Sequence, residues 1–107
     1  MIVASPWIPR GFAALTVWPF IFVLREHRDD AGLIEHEMVH YREQRGVRMP
    51  WWMARYLVSK TFRRDAEVRA YRRQIEIGGI SEDNAVLWLL TYRLDETADQ
   101  LRTLLRA

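Results

Sequence analysis

The chain contains no cysteine, which excludes disulfides, a cysteine zinc ribbon, a thiol nucleophile and thiol redox chemistry. That composition suits a reducing compartment, and a cytoplasmic location is expected. Lysine is almost as scarce, with Lys60 alone against 15 arginines. The formal charge is nevertheless only +2, because the arginines alternate with acidic residues. Arg42, Arg45 and Arg48, then Arg63, Arg64, Arg69, Arg72 and Arg73, come nearest to a cluster. A nucleic-acid footprint is a clustered basic stripe; these read as solvated helix faces, so there is no strong nucleic-acid signal. Long apolar runs are also missing. The stretch from Gly11 to Leu24 is too short to span a bilayer as a helix, and Pro19 interrupts it. It lacks the basic start and small-residue cleavage site of a secretory signal. With no repeat, low-complexity tract or Ser/Gly linker, residues 1–107 read as a single domain.

Half the residues are hydrophobic, enough for one modest core. Ile2-Val3-Ala4 is a short strand candidate. Ala14–Trp18 and Phe20–Leu24 are β-branched and aromatic, as strands are, with Pro19 marking a bend between them. Helices follow. Asp29-Asp30 offers an N-cap for a helix from Ala31 to Arg45, with Gly46 as its stop. Leu33, Ile34, Met38, Val39 and Tyr41 supply its apolar contacts. Pro50 opens a second helix, Trp51 to Thr61. A third runs from Asp65 to Ile77 and ends at Gly78-Gly79. Ser81 caps a fourth, from Glu82 through at least Tyr92, and a last segment covers Glu96 to Arg106. Leu87, Leu90, Leu94, Leu101, Leu104 and Leu105 are read as the packing positions that close the domain. The fold class is α+β, predominantly helical, with a short N-terminal β element and four to five helices. Trp51 and Trp52 cannot both point into one core, so a partner protein or a second copy is expected on that surface.

One pentapeptide carries chemistry: His36-Glu37-Met38-Val39-His40. Residues four apart on a helix share a face, with Cβ atoms roughly 5–6 Å apart, so both imidazoles can reach one zinc ion. Glu37 leaves the helix beside His36, where a carboxylate can reach an activated water rather than the metal. Chance produces this pattern in a chain of such length on the order of once in a few hundred. A helix at that place and a third ligand are therefore needed. A third histidine six residues after His40 is excluded, since Glu43 and Gly46 occupy the places of the required glycine and histidine. Glu43 lies two turns from His36, too far to share its metal comfortably. His27 and Glu67 remain open on the residues alone.

The segment Asp65-Ala66-Glu67-Val68-Arg69-Ala70-Tyr71, taken with His36-Glu37-Met38-Val39-His40, resembles the gluzincin branch of zinc metallopeptidases. The resemblance covers Leu15 through about Tyr71 and lies nearest to small zincin-like proteins of phages and bacteria. It implies a minimal zincin-like domain in which His36, His40 and Glu67 bind Zn2+ and Glu37 is the general base. Tyr71 is implied as an oxyanion donor or a support for His40 or Glu67, beside ordinary interhelical packing. Phe20–Leu24 resembles the edge strand along which such enzymes bind an extended peptide. Full-size members carry a second subdomain as the far wall of the cleft, which this chain lacks the length to build. The expected activity is hydrolysis of a peptide or protein substrate. The alternative is an inactive binding or structural module, with zinc stapling the first and third helices.

Overall fold

The computed structural model describes residues 1–9 and 12–107; Gly11, where the apolar run begins, lies outside them. The fold is α+β and predominantly helical, in the order β1 (Ile2–Ser5), β2 (Ala14–Val17), β3 (Phe20–Leu24), α1 (Ala31–Gln44), α2 (Met49–Val58), α3 (Lys60–Glu76), α4 (Glu82–Leu90) and α5 (Ala98–Arg106). The three strands form one sheet in the order β1-β3-β2. β2 and β3 make a hairpin across Pro19, in antiparallel register with Leu15 opposite Phe22. β1 then joins parallel on the far side, with Val3 opposite Phe22. Phe20–Leu24 is thus the central strand, bonded on both sides, and not the edge strand expected for it. The edge that faces α1 belongs to β2.

Along β3 the buried residues alternate, Ile21 and Val23 turning inward as a strand with one covered face requires. Asp30 caps α1 by accepting from the Leu33 N–H at 3.0 Å, and Gly46, at φ +69°, ends it. The buried stripe of α1 is not the apolar set expected. It consists of Gly32, His36, His40 and Gln44, each four residues from the next, with Glu37 three before His40. Leu33, Ile34, Met38, Val39 and Tyr41 are only half-buried around it.

Helix boundaries differ where capping was overlooked. Ser59 adopts an extended conformation and its hydroxyl accepts from the Phe62 N–H at 3.1 Å. α2 therefore stops at Val58 and α3 begins five residues before Asp65. The Arg63 side chain seals the break, donating to the carbonyls of Tyr56 and Leu57 at 2.9 and 3.0 Å. The cap of α5 is Thr97, in a reciprocal capping box with Gln100. The core between α3, α4 and α5 contains Val68, Tyr71, Ala85, Val86, Leu89, Leu94, Leu101 and Leu105. Leu87 and Leu90, expected inside, are 62% and 44% exposed. The inward face of α4 is carried by Ala85, Val86 and Leu89 instead.

α1 meets the turn after α3 through two glycines. A Cβ on Gly32 would stand 2.6 Å from the Gly79 Cα, and one on Gly79 would stand 2.5 Å from the Gly32 Cα. Backbone cannot yield as a flexible side chain can, so Gly79→Ala should destabilise the fold by about 1–3 kcal/mol. Urea unfolding monitored by circular dichroism measures it; an unchanged midpoint would contradict this packing.

Candidate metal centre

α1 and α3 are antiparallel neighbours, and this brings together residues 31 positions apart in sequence. His36, His40 and Glu67 are all buried, with one donor atom from each within 4.8 Å of the others. Both imidazoles turn Nε2 toward the same carboxylate oxygen. Glu67 Oε1 lies 3.0 Å from His36 Nε2 and 3.2 Å from His40 Nε2. Two ligands of a tetrahedral zinc stand roughly 3.3 Å apart at ordinary bond lengths, so these separations fall close to what one ion needs.

The outer nitrogens decide what the inner ones can be. His36 Nδ1 lies 2.9 Å from the amide oxygen of Gln74, which can only accept, so a proton sits on Nδ1 and Nε2 is left either to carry a second proton or to present a lone pair to a metal. His40 Nδ1 is buried without a hydrogen bond; Glu43 Oε1, at 3.6 Å, is its nearest acidic neighbour. A lone pair facing a carboxylate oxygen is repulsive unless a cation lies between them. The donor set therefore fits a divalent metal, and the Gln74 contact matches the outer partners that orient metal-bound histidines.

Without a metal, protons take this role. Burial opposes a charged His40, yet the Glu67 charge and the Glu43 and Glu67 contacts outweigh it and raise its pKa well above the usual histidine value. Burial likewise opposes a charged Glu67. The His40 charge and hydrogen bonds from both rings overcome that and hold its carboxyl well below the ordinary range.

Glu37 stands apart from the ligand trio. Its Oε1 accepts from the Thr16 hydroxyl of β2 at 3.0 Å, and its Oε2 lies 3.7 Å from His36 Nε2. The carboxylate is thus buried and pinned on one oxygen, with the other facing the cluster. Two cavities reach this point. A small one of about 60 Å³ is lined by Thr16, Glu37, His40, Trp52, Tyr56 and Glu67. A larger one of about 490 Å³ opens on the other side, against Leu33, His36, Glu37, Tyr71 and Trp88. Phe12 and Tyr92 line both, stacked with ring centroids 5.8 Å apart.

Tyr71 packs its ring edge-on against His36, centroids 4.2 Å apart, and its hydroxyl lies 3.4 Å from that of Tyr92. It bonds neither His40 nor Glu67. Burial, then the Glu67 charge, raises its pKa, so it stays a neutral donor. His27 lies on a short 3-10 turn, Arg25–His27, outside the trio. Of the paired tryptophans, Trp52 is 8% exposed and Trp51 is 74% exposed. Trp52 stacks on Tyr56 and donates its indole N–H to Glu43 at 3.2 Å.

Three residues at this centre escape a reading by motif. Thr16 and Gln74 lie in elements whose partners only the fold reveals. Tyr56 reads as part of an apolar helix, yet its hydroxyl donates to Glu67 Oε2 and so leaves Oε1 for the imidazoles. A tyrosine four residues after an inward tryptophan, on a helix leading to the glutamate, is the one available signal. Removing its hydroxyl frees the carboxylate to turn. Tyr56→Phe should weaken zinc binding by about 10–100-fold, read by competition with a chromogenic chelator; unchanged affinity would show that Tyr56 does not orient Glu67. Among the described residues no helix is long and apolar enough to cross a membrane. Comparison with models of known protein families, with curated proteins and with solved structures gives no match.

Proposed function

We propose that the protein is a small zinc-dependent metallopeptidase of gluzincin-like type, working in the cytoplasm on a peptide or protein substrate. The observation that carries this reading is the division of labour among four buried side chains. Two imidazole nitrogens and one Glu67 oxygen converge on a common point, while Glu37 of α1 stays out of that trio, held by Thr16 of β2 with its second oxygen toward the cluster. A zinc that merely joined α1 to α3 would need no such fourth group.

His36, His40 and Glu67 would hold the ion, which would supply Lewis acidity toward water and toward a substrate carbonyl. The remaining work belongs to the chain. Thr16 fixes Oε1 of Glu37, so Oε2 can take a proton from water and deliver it to the leaving amine nitrogen. Tyr71, kept protonated by burial beside Glu67, is the candidate donor to the oxyanion. The outward N–H and C=O of Ala14 and the N–H of Thr16, on the edge of β2, offer two donors and an acceptor to an extended chain. The Phe12–Tyr92 stack forms part of the wall of both cavities beside Glu37.

A second reading, an inactive module stapled by zinc, draws on the same α1–α3 junction. A mixed peptide library separates the two. Zinc-loaded wild type should cleave it and Glu37→Gln should not; equal cleavage, or none by the zinc-loaded wild type, contradicts the peptidase.

A further inference from the structure

The outward edge of β2 is closed at one end by a side chain. Leu24 N–H donates to Ala13 O at 2.9 Å, and bonded positions alternate along an antiparallel ladder. With Ala14 opposite Val23, the backbone groups of Ala14, Thr16 and Trp18 must point away from β3, toward α1. Gln44 takes two of them. Its Nε2 donates to Thr16 O at 3.0 Å and its Oε1 accepts from Trp18 N–H at 2.9 Å. An added parallel strand would place one residue's N–H and C=O on these same two groups. The Gln44 amide, on a wholly buried side chain, thus occupies the place of an incoming chain.

The cavities on either side of Glu37 agree with a closed end. On the Gln44 side the space is about 60 Å³, walled by Trp52, Met53 and Tyr56, enough for a few waters or one small side chain. Past Ala14, which lines both, the space widens to about 490 Å³ and reaches Ala13, Leu24, His27 and Leu33. Thr16 bonds both Glu37 and Gln44, so the closure falls immediately beside the carboxylate that acts on water.

We propose that Gln44 is a specificity-determining residue that ends the peptide-binding edge beside Glu37, making the enzyme an exopeptidase that cuts within roughly two residues of a chain terminus, at about 3.3 Å per residue. This rests on the peptidase reading and adds its substrate class. Gln44 acts by excluding the rest of a chain; it takes no part in the chemistry.

Zinc-loaded full-length protein, wild type and Gln44→Ala, is given a set of unstructured peptides about twelve residues long, with both ends free, N-acetylated or C-amidated, and the cuts are mapped by mass spectrometry. Wild type should cut only the last two bonds at one end, blocking that end should suppress the cuts, and Gln44→Ala should add internal cuts. Internal cuts by wild type overturn the proposal, whether or not Gln44→Ala folds. A cut pattern unchanged in a folded Gln44→Ala also overturns it. Absence of any cut overturns the peptidase reading and the exopeptidase with it. Amide hydrogen exchange then tests the closed edge by itself. Peptide should slow exchange at the Ala14 and Thr16 amides, while the Trp18 amide is slow in free wild type and fast in Gln44→Ala. A Trp18 amide that exchanges fast in wild type contradicts the closure.

Discussion

Replacing Glu37 by glutamine is expected to lower peptide hydrolysis by about 10²–10⁴-fold while leaving zinc content and melting temperature essentially unchanged. Glutamine keeps the oxygen that accepts from Thr16, so the side chain stays where it is. It loses only the second carboxylate oxygen, the one directed toward His36 Nε2, and with it the capacity to carry a proton. Because Glu37 is not among the converging ligands, the ion should remain. Steady-state cleavage of a quenched-fluorescence peptide and metal analysis of the same sample read the two effects separately. Loss of zinc together with activity would assign Glu37 to the ligand set, and full activity would remove it from the chemistry.

Stripping the metal should have the opposite character: a large loss of stability whose size depends on pH. In the metal-free protein the cluster is held by protonated His40 against ionised Glu67. A histidine whose folded pKa is raised contributes stability that is complete below its unfolded value, about 6.5, and is lost as pH rises through the folded value. Glu67 is lowered, so its contribution is present above about 4.3, the unfolded value, and fades as pH falls toward its folded one. The metal-free protein should therefore be most stable between these two values and melt at progressively lower temperature toward pH 9. Zinc, which takes the place of the proton, should reverse that trend. At a free concentration a hundred times its dissociation constant it adds about 2.7 kcal/mol. Thermal melts in chelator and in zinc across pH 5–9 test this. A melting temperature of the metal-free protein that is flat or rises from pH 6 to 9 would contradict the ionic cluster.

What could be read from the sequence follows from how local each signal is. The motif helix was legible because its cap, its periodicity and its stop lie within one segment: Asp30, the His36–His40 spacing and Gly46. Glu67 came from a resemblance, and the fold brings it to the two imidazoles. The edge strand was misread because β1 adds in parallel from a distant segment, and nothing local to Phe20–Leu24 announces a second neighbour. The stripe on α1 was misread for a related reason. Hydrophobic periodicity finds faces that water rejects, whereas this buried face is polar and hydrogen-bonded to Thr16, Glu67, Gln74 and Trp18. Leu87 and Leu90 show the converse error, apolar residues left outside because Ala85, Val86 and Leu89 already fill the contact with α5. Ser59 was overlooked as a cap because neither glycine nor proline marks the break between Val58 and Lys60.

The proposed function rests on His36, His40 and Glu67 forming one metal site. Metal analysis of protein purified without chelator tests it most directly, with Glu67→Ala alongside. Wild type should carry about one equivalent of zinc and melt lower after chelation, and the variant should carry almost none. Wild type with less than about a tenth of an equivalent, and a melt indifferent to chelator, would contradict the account.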